Sequence, residues 1–362
     1  MPSKLHVLHV LGESKFGGGS AVVFTLADMA LEHGLAVDIL TTDPLCAEAC
    51  RKRGYGVLNF GGIVRPVRPH KDLLAAKRLA REIRGRYDLV HTHTTKGGVV
   101  GRLAARWANI PGVLHTVHGF AFHEFSRKLV TFVGGRAERM LAGQCDRLVF
   151  VNHEDRELAA RMGIGSDHQR RTVYNGVPEG RLEPGRATAR SEVLGKLGLD
   201  LDVALCVFVG RLAPQKGLDN LLGAMAIVRE KLPQRAVHLA MVGEGELHDE
   251  LRAQSRCLGL EDRIHWMGFR EDCMRWSGAC DIFVLSSLWE GHSISLLEAM
   301  GLDRLVVVTD IKGNRDSVTD GKDGLIVRPA DPQALAEGIV RLAGDRDHLA
   351  GELRKALPWK RR

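Results

Sequence analysis

The chain has 362 residues, 44% hydrophobic and 26% charged, with a net charge of +7. That length suits two α/β domains of about 170 residues better than one core, and the balance excludes large-scale disorder. The longest apolar runs, 203–209 and 305–308, are strand-length and fall far short of the ~20 residues a membrane span needs.

Charge is unevenly divided. Residues 1–175 hold 25 Lys+Arg against 16 Asp+Glu, and the remainder holds 26 against 28. A basic first half fits an anionic partner, either a phosphorylated acceptor or an anionic membrane surface, and equally an ordinary solvated surface. Nucleic acid is not expected, because aromatic residues are only 5% and no basic stretch interleaves them. Seven scattered cysteines, an odd number, predict reduced thiols and a cytoplasmic setting. The apolar stretch at the start reads as a buried first strand, since a glycine loop and a helix follow where a cleavage site would be.

Strands and helices alternate from the beginning, the pattern of a parallel sheet covered on both faces. Strands are predicted at 5–11, 37–41, 89–93, 113–117, 146–151 and 172–174, with helices at 20–33, 71–84, 97–107 and 127–141. Residues 178–202 then combine proline, glycine and charge, a linker composition with a short helix near 189–197. A second alternation follows, with strands at 203–209, 238–242, 264–267, 282–285, 305–309 and 325–327. Its helices are expected at 218–231, 247–258, 270–279, 293–300 and 332–343. The expected fold is therefore two doubly wound Rossmann-like domains, 1–177 and 203–345, facing across a cleft, with a basic tail at 346–362.

Three places carry chemistry. Gly17, Gly18 and Gly19 lie between the first strand and helix, where backbone N–H groups and the helix dipole favour an anion. The loop does not read G-x-G-x-x-G and no acid closes the second strand, so a dinucleotide site is not indicated; a plain turn fits as well. Arg211 and Lys216 sit on a strand-to-helix loop where they can converge on a diphosphate, or simply be solvated charges. Glu290 falls in a later loop and Glu298 on the helix after it, with the N–H groups of Ser293 and Ile294 opening that helix toward a phosphate.

Glu290, seven residues, Glu298, then Ala-Met resembles the signature of the retaining family 4 glycosyltransferases of the GT-B fold. The segments FVGRLAPQKGLDNLL (208–222), MVGEGEL (241–247), HWMGFRED (265–272) and DGKDGLIVRPADP (320–332) match family blocks in order. In the first half, VHTHTTKGGVVGRLAA (90–105), HTVHGFAFHEF (115–125) and VYNGVP (173–178) resemble bacterial polysaccharide and lipopolysaccharide members.

The resemblance implies roles. Arg211 and Lys216 match the pair on the donor diphosphate, with Gly18 or Gly19 approaching it from the first domain. Glu298 matches the acid on the ribose, Gly268, Phe269 and Arg270 the base-binding turn, and Glu290 and His118 the groups at the transferred sugar. The implied reaction is retaining transfer from a nucleotide-sugar, UDP-linked by expectation, to a sugar or lipid-linked acceptor at the inner face of the membrane. It would proceed by front-face attack without metal or other cofactor.

Two features bear on competing readings. Gly301-Leu302-Asp303-Arg304-Leu305 replaces the family's Ala-x-Gly-x-Pro, a segment expected to lie behind the diphosphate site, which leaves room for a catalytically impaired nucleotide-sugar-binding protein. A GT-B-type UDP-GlcNAc 2-epimerase shares the architecture. Asp200-Leu201-Asp202 and Asp345-Arg346-Asp347 have the spacing of a metal site but lie in loops, and His91-x-His93 is the one histidine pair with ligand spacing.

Overall fold

The computed structural model describes residues 4–12, 17–63, 68–120, 128–178, 180, 182, 186–234 and 236–344. Two compact units emerge, Met1–Asn175 and Gly176–Arg362.

In the first unit the order is β1 (His6–Gly12), α1 (Gly18–Glu32), β2 (Ala36–Thr41), α2 (Pro44–Lys52), β3 (Gly56–Leu58), α3 (Pro69–Ile83) and β4 (Leu89–His93). It continues with α4 (Thr95–Trp107), β5 (Gly112–Val117), α5 (Lys128–Ala142), β6 (Arg147–Phe150), α6 (His153–Arg161) and β7 (Arg170–Thr172). All strands pair in parallel, in the order β3-β2-β1-β4-β5-β6-β7. Helix starts follow their side-chain caps: Asp43 accepts from Cys46 N at 3.0 Å, Thr94 from Gly97 N at 3.2 Å and Asn152 from Asp155 N at 2.7 Å.

The second unit holds α7 (Arg186–Leu197), β8 (Ala204–Val209), α8 (Leu218–Lys231), β9 (Val237–Val242), α9 (His248–Cys257), β10 (Ile264–Gly268) and α10 (Cys273–Ala279). Then come β11 (Ile282–Leu285), α11 (Ile294–Gly301), β12 (Leu305–Thr309), α12 (Lys312–Arg315), β13 (Leu325–Val327) and α13 (Pro332–Gly344). Its sheet is again all parallel, ordered β10-β9-β8-β11-β12-β13. Strands β9, β11 and β12 are buried along their whole length, as expected when helices cover both faces. Two doubly wound domains are thus present, as the alternation predicts.

Several boundaries differ from expectation. The segment 178–202 is not only a connection: α7 within it belongs to the second unit, where Ala189, Val193 and Leu194 enter the core. Arg190 fixes it there, donating to Asp281 at 2.9 Å and to the Val203 carbonyl at 2.7 Å. The break between units accordingly falls at Asn175/Gly176, near the expected 177. Helix α10 begins at Cys273 rather than near Arg270, because Gly268 turns the chain at φ 63 and the Arg270–Asp272 ion pair occupies the intervening loop. The tail 346–362 lies outside the described residues, as do Asp345 and Asp347.

Candidate functional site

In each sheet the strand order reverses once, between β1 and β4 in the first unit and between β8 and β11 in the second. In folds of this kind, ligands bind at such a reversal, outside the strands' carboxyl ends.

In the second unit, loops 210–217 and 286–293 leave those carboxyl ends and are stitched together. Leu288 N donates to the Gln215 carbonyl and the Ser286 hydroxyl to the Lys216 carbonyl, both at 2.8 Å. Gly217, at φ 55, makes this approach possible; a Cβ there would stand 2.5 Å from the Ser286 carbonyl oxygen. The result fixes Glu290. Its carboxylate receives the Lys216 ammonium, the Ser287 hydroxyl at 2.9 Å and Gln215 Nε2 at 3.1 Å. Lys216 and Glu290 side chains are only 13% and 9% exposed, so this is a largely desolvated ion pair held by neutral donors.

Arg211 lies on the same loop. Its Nη2 donates to Glu246 at 2.6 Å, while its Nε is buried without a hydrogen-bond partner among the described residues. Glycines again permit the contact, since a Cβ at Gly243 or Gly245 would meet the carbonyls of Gly210 and Leu212 at 1.9 and 2.1 Å. The expected base-binding turn adjoins this loop: Gly243 N donates to the Gly268 carbonyl at 2.8 Å, and Phe269 N to Glu244 at 3.3 Å. Arg270 forks onto Asp272 at 2.8 and 2.9 Å. Ser293 stands at the N-terminal boundary of α11 without a side-chain capping bond, Ile294 begins the helix, and Glu298 is buried on its second turn. Arg211, Lys216 and Glu290 are therefore brought to one strand-order reversal, and Gly268–Arg270 is continuous with it through 243–246. Gln215, Ser287, Glu244 and Glu246 are participants not singled out from sequence, although Gln215, Glu244 and Glu246 stand inside the matched segments and Ser287 stands three residues before Glu290.

The altered segment 301–305 lies elsewhere than expected. Helix α11 starts at the carboxyl end of β11 and runs back, so residues 302–304 enter β12 at its amino end. An eight-residue helix spans ~12 Å. Arg304 is buried there, its Nε on the Leu302 carbonyl at 2.7 Å, and Asp303 takes φ 59. This loop is thus not behind the diphosphate loops. Asp200 and Asp202 are exposed in the turn before β8, also at the amino end.

In the first unit, Gly18 and Gly19 open α1 with nothing within 4 Å of where a Cβ would stand. Gly17 N donates to the Ser20 hydroxyl at 2.8 Å, which fixes that entry. His118 follows β5, half-buried, and is not alone. Its Nε2 lies 3.0 Å from His93 Nδ1, and His93 Nε2 lies 3.1 Å from His9 Nδ1. Burial pushes His9 and His118 down to about 4 and His93 well below its usual range, so all three are neutral at pH 7. His91 is bound through Nε2 to the Thr116 hydroxyl at 2.7 Å. Donor nitrogens of His9, His91 and His93 all lie within 4.8 Å of one another. Sequence spacing showed only His91-x-His93; the register that sets His9 beside His91 brings in a ring 82 positions earlier.

Comparison with known proteins shows the family and the fold. The family described as "Glycosyl transferases group 1" matches residues 204–345, and "Glycosyltransferase Family 4" matches residues 16–181. An Escherichia coli relative, the UDP-Gal:α-D-GlcNAc-diphosphoundecaprenol α-1,3-galactosyltransferase, is 33% identical over 283 residues, 77% of this chain and 72% of its own. A D-inositol 3-phosphate glycosyltransferase of Nocardia farcinica is 31% identical over 292 residues, covering 75% of this chain and 62% of its own. Among solved structures, Anabaena HepE in complex with UDP and glucose superposes with a TM-score of 0.84 at 20% identity, over 98% of this chain and 94% of its own. WaaG, a glycosyltransferase involved in lipopolysaccharide biosynthesis, gives 0.75 at 16% over 97% and 94%. The chain belongs to the family 4 glycosyltransferases, on the GT-B fold, and is a glycosyl-transferring enzyme.

Proposed function

We propose that the enzyme transfers a sugar from a UDP-sugar, with retention and without a metal ion, to a sugar or lipid-linked acceptor in bacterial glycan synthesis. The observation that carries this reading is the joined pair of loops at the β8/β11 reversal. There Arg211, with an unpartnered buried N–H, stands on the same loop as the Lys216–Glu290 pair. A departing nucleoside diphosphate needs cationic donors held in place before reaction, and Arg211, Lys216 and the N-terminus of α11 meet that need without a cation. Glu290 accepts three hydrogen bonds, which holds its electron density and disfavours it as a covalent nucleophile. The route we propose is front-face attack, with the leaving phosphate taking the acceptor's proton. Glu298 would hold the ribose, the Gly268–Arg270 turn the base, Gly18 and Gly19 the phosphate, and His118 a sugar hydroxyl.

Support for the donor and acceptor comes from the relatives: the E. coli protein is named for UDP-Gal and a diphosphoundecaprenol-linked sugar, and HepE is complexed with UDP. Among the described residues no helix is long and apolar enough to cross a membrane. A lipid-linked acceptor would instead be reached through α5, which exposes apolar and basic side chains together.

The test is a UDP-sugar panel. Thermal stabilisation by UDP should identify binding, at about 2.7 kcal/mol for a hundredfold excess over the dissociation constant. The product from an α-configured donor should keep the α configuration by NMR, with activity intact in excess EDTA. An inverted product ends the retaining mechanism. Loss in EDTA restored by manganese ends the metal-free one. Interconversion of UDP-GlcNAc at C2 without an acceptor makes the chain an epimerase.

A further inference from the structure

The chain of rings in the first unit has a consequence for His118. In β1 and β4, His9 and His91 are register partners, and His93 shares their face two residues on. Thr116 of β5 pairs with His93, and His118 follows two positions later on the same side. This places His9 of β1, His93 of β4 and His118, just after β5, in a row beside the reversal between β1 and β4. Ring centroids of His9 and His93 are 5.4 Å apart, and those of His93 and His118 are 5.3 Å apart.

We propose that His93, held in turn by His9, is a positioning residue that fixes the tautomer and orientation of His118. The inference rests on the reading of His118 as the histidine that meets the donor sugar. A neutral imidazole carries one N–H and one bare nitrogen. His93 uses both nitrogens on its neighbours, Nε2 toward His9 Nδ1 and Nδ1 toward His118 Nε2. If His93 carries its proton on Nε2, it donates to His9, and its bare Nδ1 requires a proton on His118 Nε2. If the proton is on Nδ1, His118 Nε2 must be bare and His9 must carry Nδ1–H. Any other order sets two protons or two lone pairs face to face. The three rings therefore share one tautomer, and His118 Nδ1 presents a single defined character, acceptor or donor, to whatever it meets.

Histidine-labelled protein at pH 7.5, with His9, His93 and His118 assigned through single substitutions, allows the rings to be read by long-range 1H–15N correlation. All three should be neutral and of the same tautomer. Unlike tautomers, averaged signals or a charged ring overturn the proposal, as does a stoichiometric transition metal in the purified enzyme. Kinetics of His93 variants supply the second arm. An asparagine amide stands where Nδ1 stood and keeps the contact to His118, whereas a glutamine amide stands near Nε2 and keeps only the contact to His9. His93→Asn should lower kcat less than His93→Gln or His93→Phe, since it still orients His118 but no longer passes on a tautomer from His9. His93→Gln and His93→Phe should lower kcat on the order of tenfold to a hundredfold, with KM for the donor and UDP affinity within about twofold. Equal kcat in all three variants removes the positioning role. If the parent transfers no sugar, the proposed reaction fails, while the shared tautomer still decides this inference.

Discussion

Both units place polar groups at the reversal of strand order, by opposite means. The second unit uses charge on loops: Arg211 against Glu246, and Lys216 against Glu290, with neutral donors holding the carboxylate. The first unit uses uncharged rings, His9 and His93 in the sheet and His118 just after β5, all kept neutral by burial. The difference matches what each would meet under the proposed reaction. A leaving diphosphate carries negative charge and is stabilised by fixed cations. A sugar developing oxocarbenium character is disfavoured beside a positive group, and its hydroxyls need only hydrogen bonds.

The strongest way to break that comparison is to remove the cations. Arg211→Ala with Lys216→Ala should lower transfer on the order of a hundredfold or more, about 2.7 kcal/mol of transition-state stabilisation. Binding of UDP measured by calorimetry should weaken in parallel; unchanged UDP affinity removes the diphosphate assignment. Stability should fall as well, because Lys216→Ala strands a buried carboxylate. Adding Glu290→Gln to that variant should restore thermal stability but not activity. Alone, Glu290→Gln keeps shape and releases the Lys216 ammonium. Turnover should fall more than tenfold, with UDP affinity within a few fold, since base and ribose are held elsewhere. His118→Ala should behave alike, and a loss of UDP binding in either variant would move that residue to the nucleotide.

How far the sequence reveals these sites depends on the distance between partners. Arg211, Gln215 and Lys216 share one loop, and Glu290 to Glu298 share another, so segment matching reaches them. Strands 282–285 and 305–309 and helix 218–231 are read to the residue because long apolar runs meet glycine or acidic boundaries. Helix α2 was missed because it buries only Cys46, Ala47 and Cys50, too narrow an apolar stripe, although Asp43 was a readable cap. Helix α6 buries only Asp155 and Ala159, and its cap Asn152 was equally available. The His9–His93 contact is invisible to any local pattern, because only the β1/β4 register joins residues 84 positions apart.

Acid should separate the units by a smaller effect. His9, His91, His93, His115 and His118 of the first unit are all pushed down by burial, against His238, His265 and His292 of the second. Their unfolded value is near 6.5, and for His9 and His118 the folded value is about 4. Stability from these groups is therefore complete above pH 6.5. It is lost as pH falls from 6.5 toward 4, where the unfolded chain takes up protons the folded one refuses. A fully buried histidine such as His9 contributes ~1.4 kcal/mol per pH unit across that window. Hydrogen exchange at pH 7.5 and 5.5 should show the first unit losing more protection; equal losses would mean its rings are charged.

The smallest effect concerns the surface of the first unit. Helix α5 buries Gly135, Glu138, Leu141 and Ala142 and leaves Leu129, Val130, Phe132, Val133 and Met140 exposed, Phe132 by 61% and Met140 by 76%. Lys128, Arg136 and Arg139 stand among them, and the Arg136 guanidinium lies 5.8 Å from the Phe132 ring centroid. Arg68 and Lys71 are described and exposed as well, whereas Arg65, Phe122, Phe125 and Arg127 lie outside the described residues. Apolar side chains flanked by cations suit the headgroup boundary of an anionic bilayer, where each basic residue is worth about 1 kcal/mol and salt weakens the attraction. Sedimentation with phosphatidylglycerol vesicles at low salt should pull down the enzyme, and neutral phosphatidylcholine vesicles should not. Phe132→Ser with Arg136→Ser should reduce the anionic pelleting several-fold while transfer to a water-soluble acceptor analogue is kept. Equal pelleting on both lipids, or none on either, leaves α5 without a membrane role and favours a soluble acceptor.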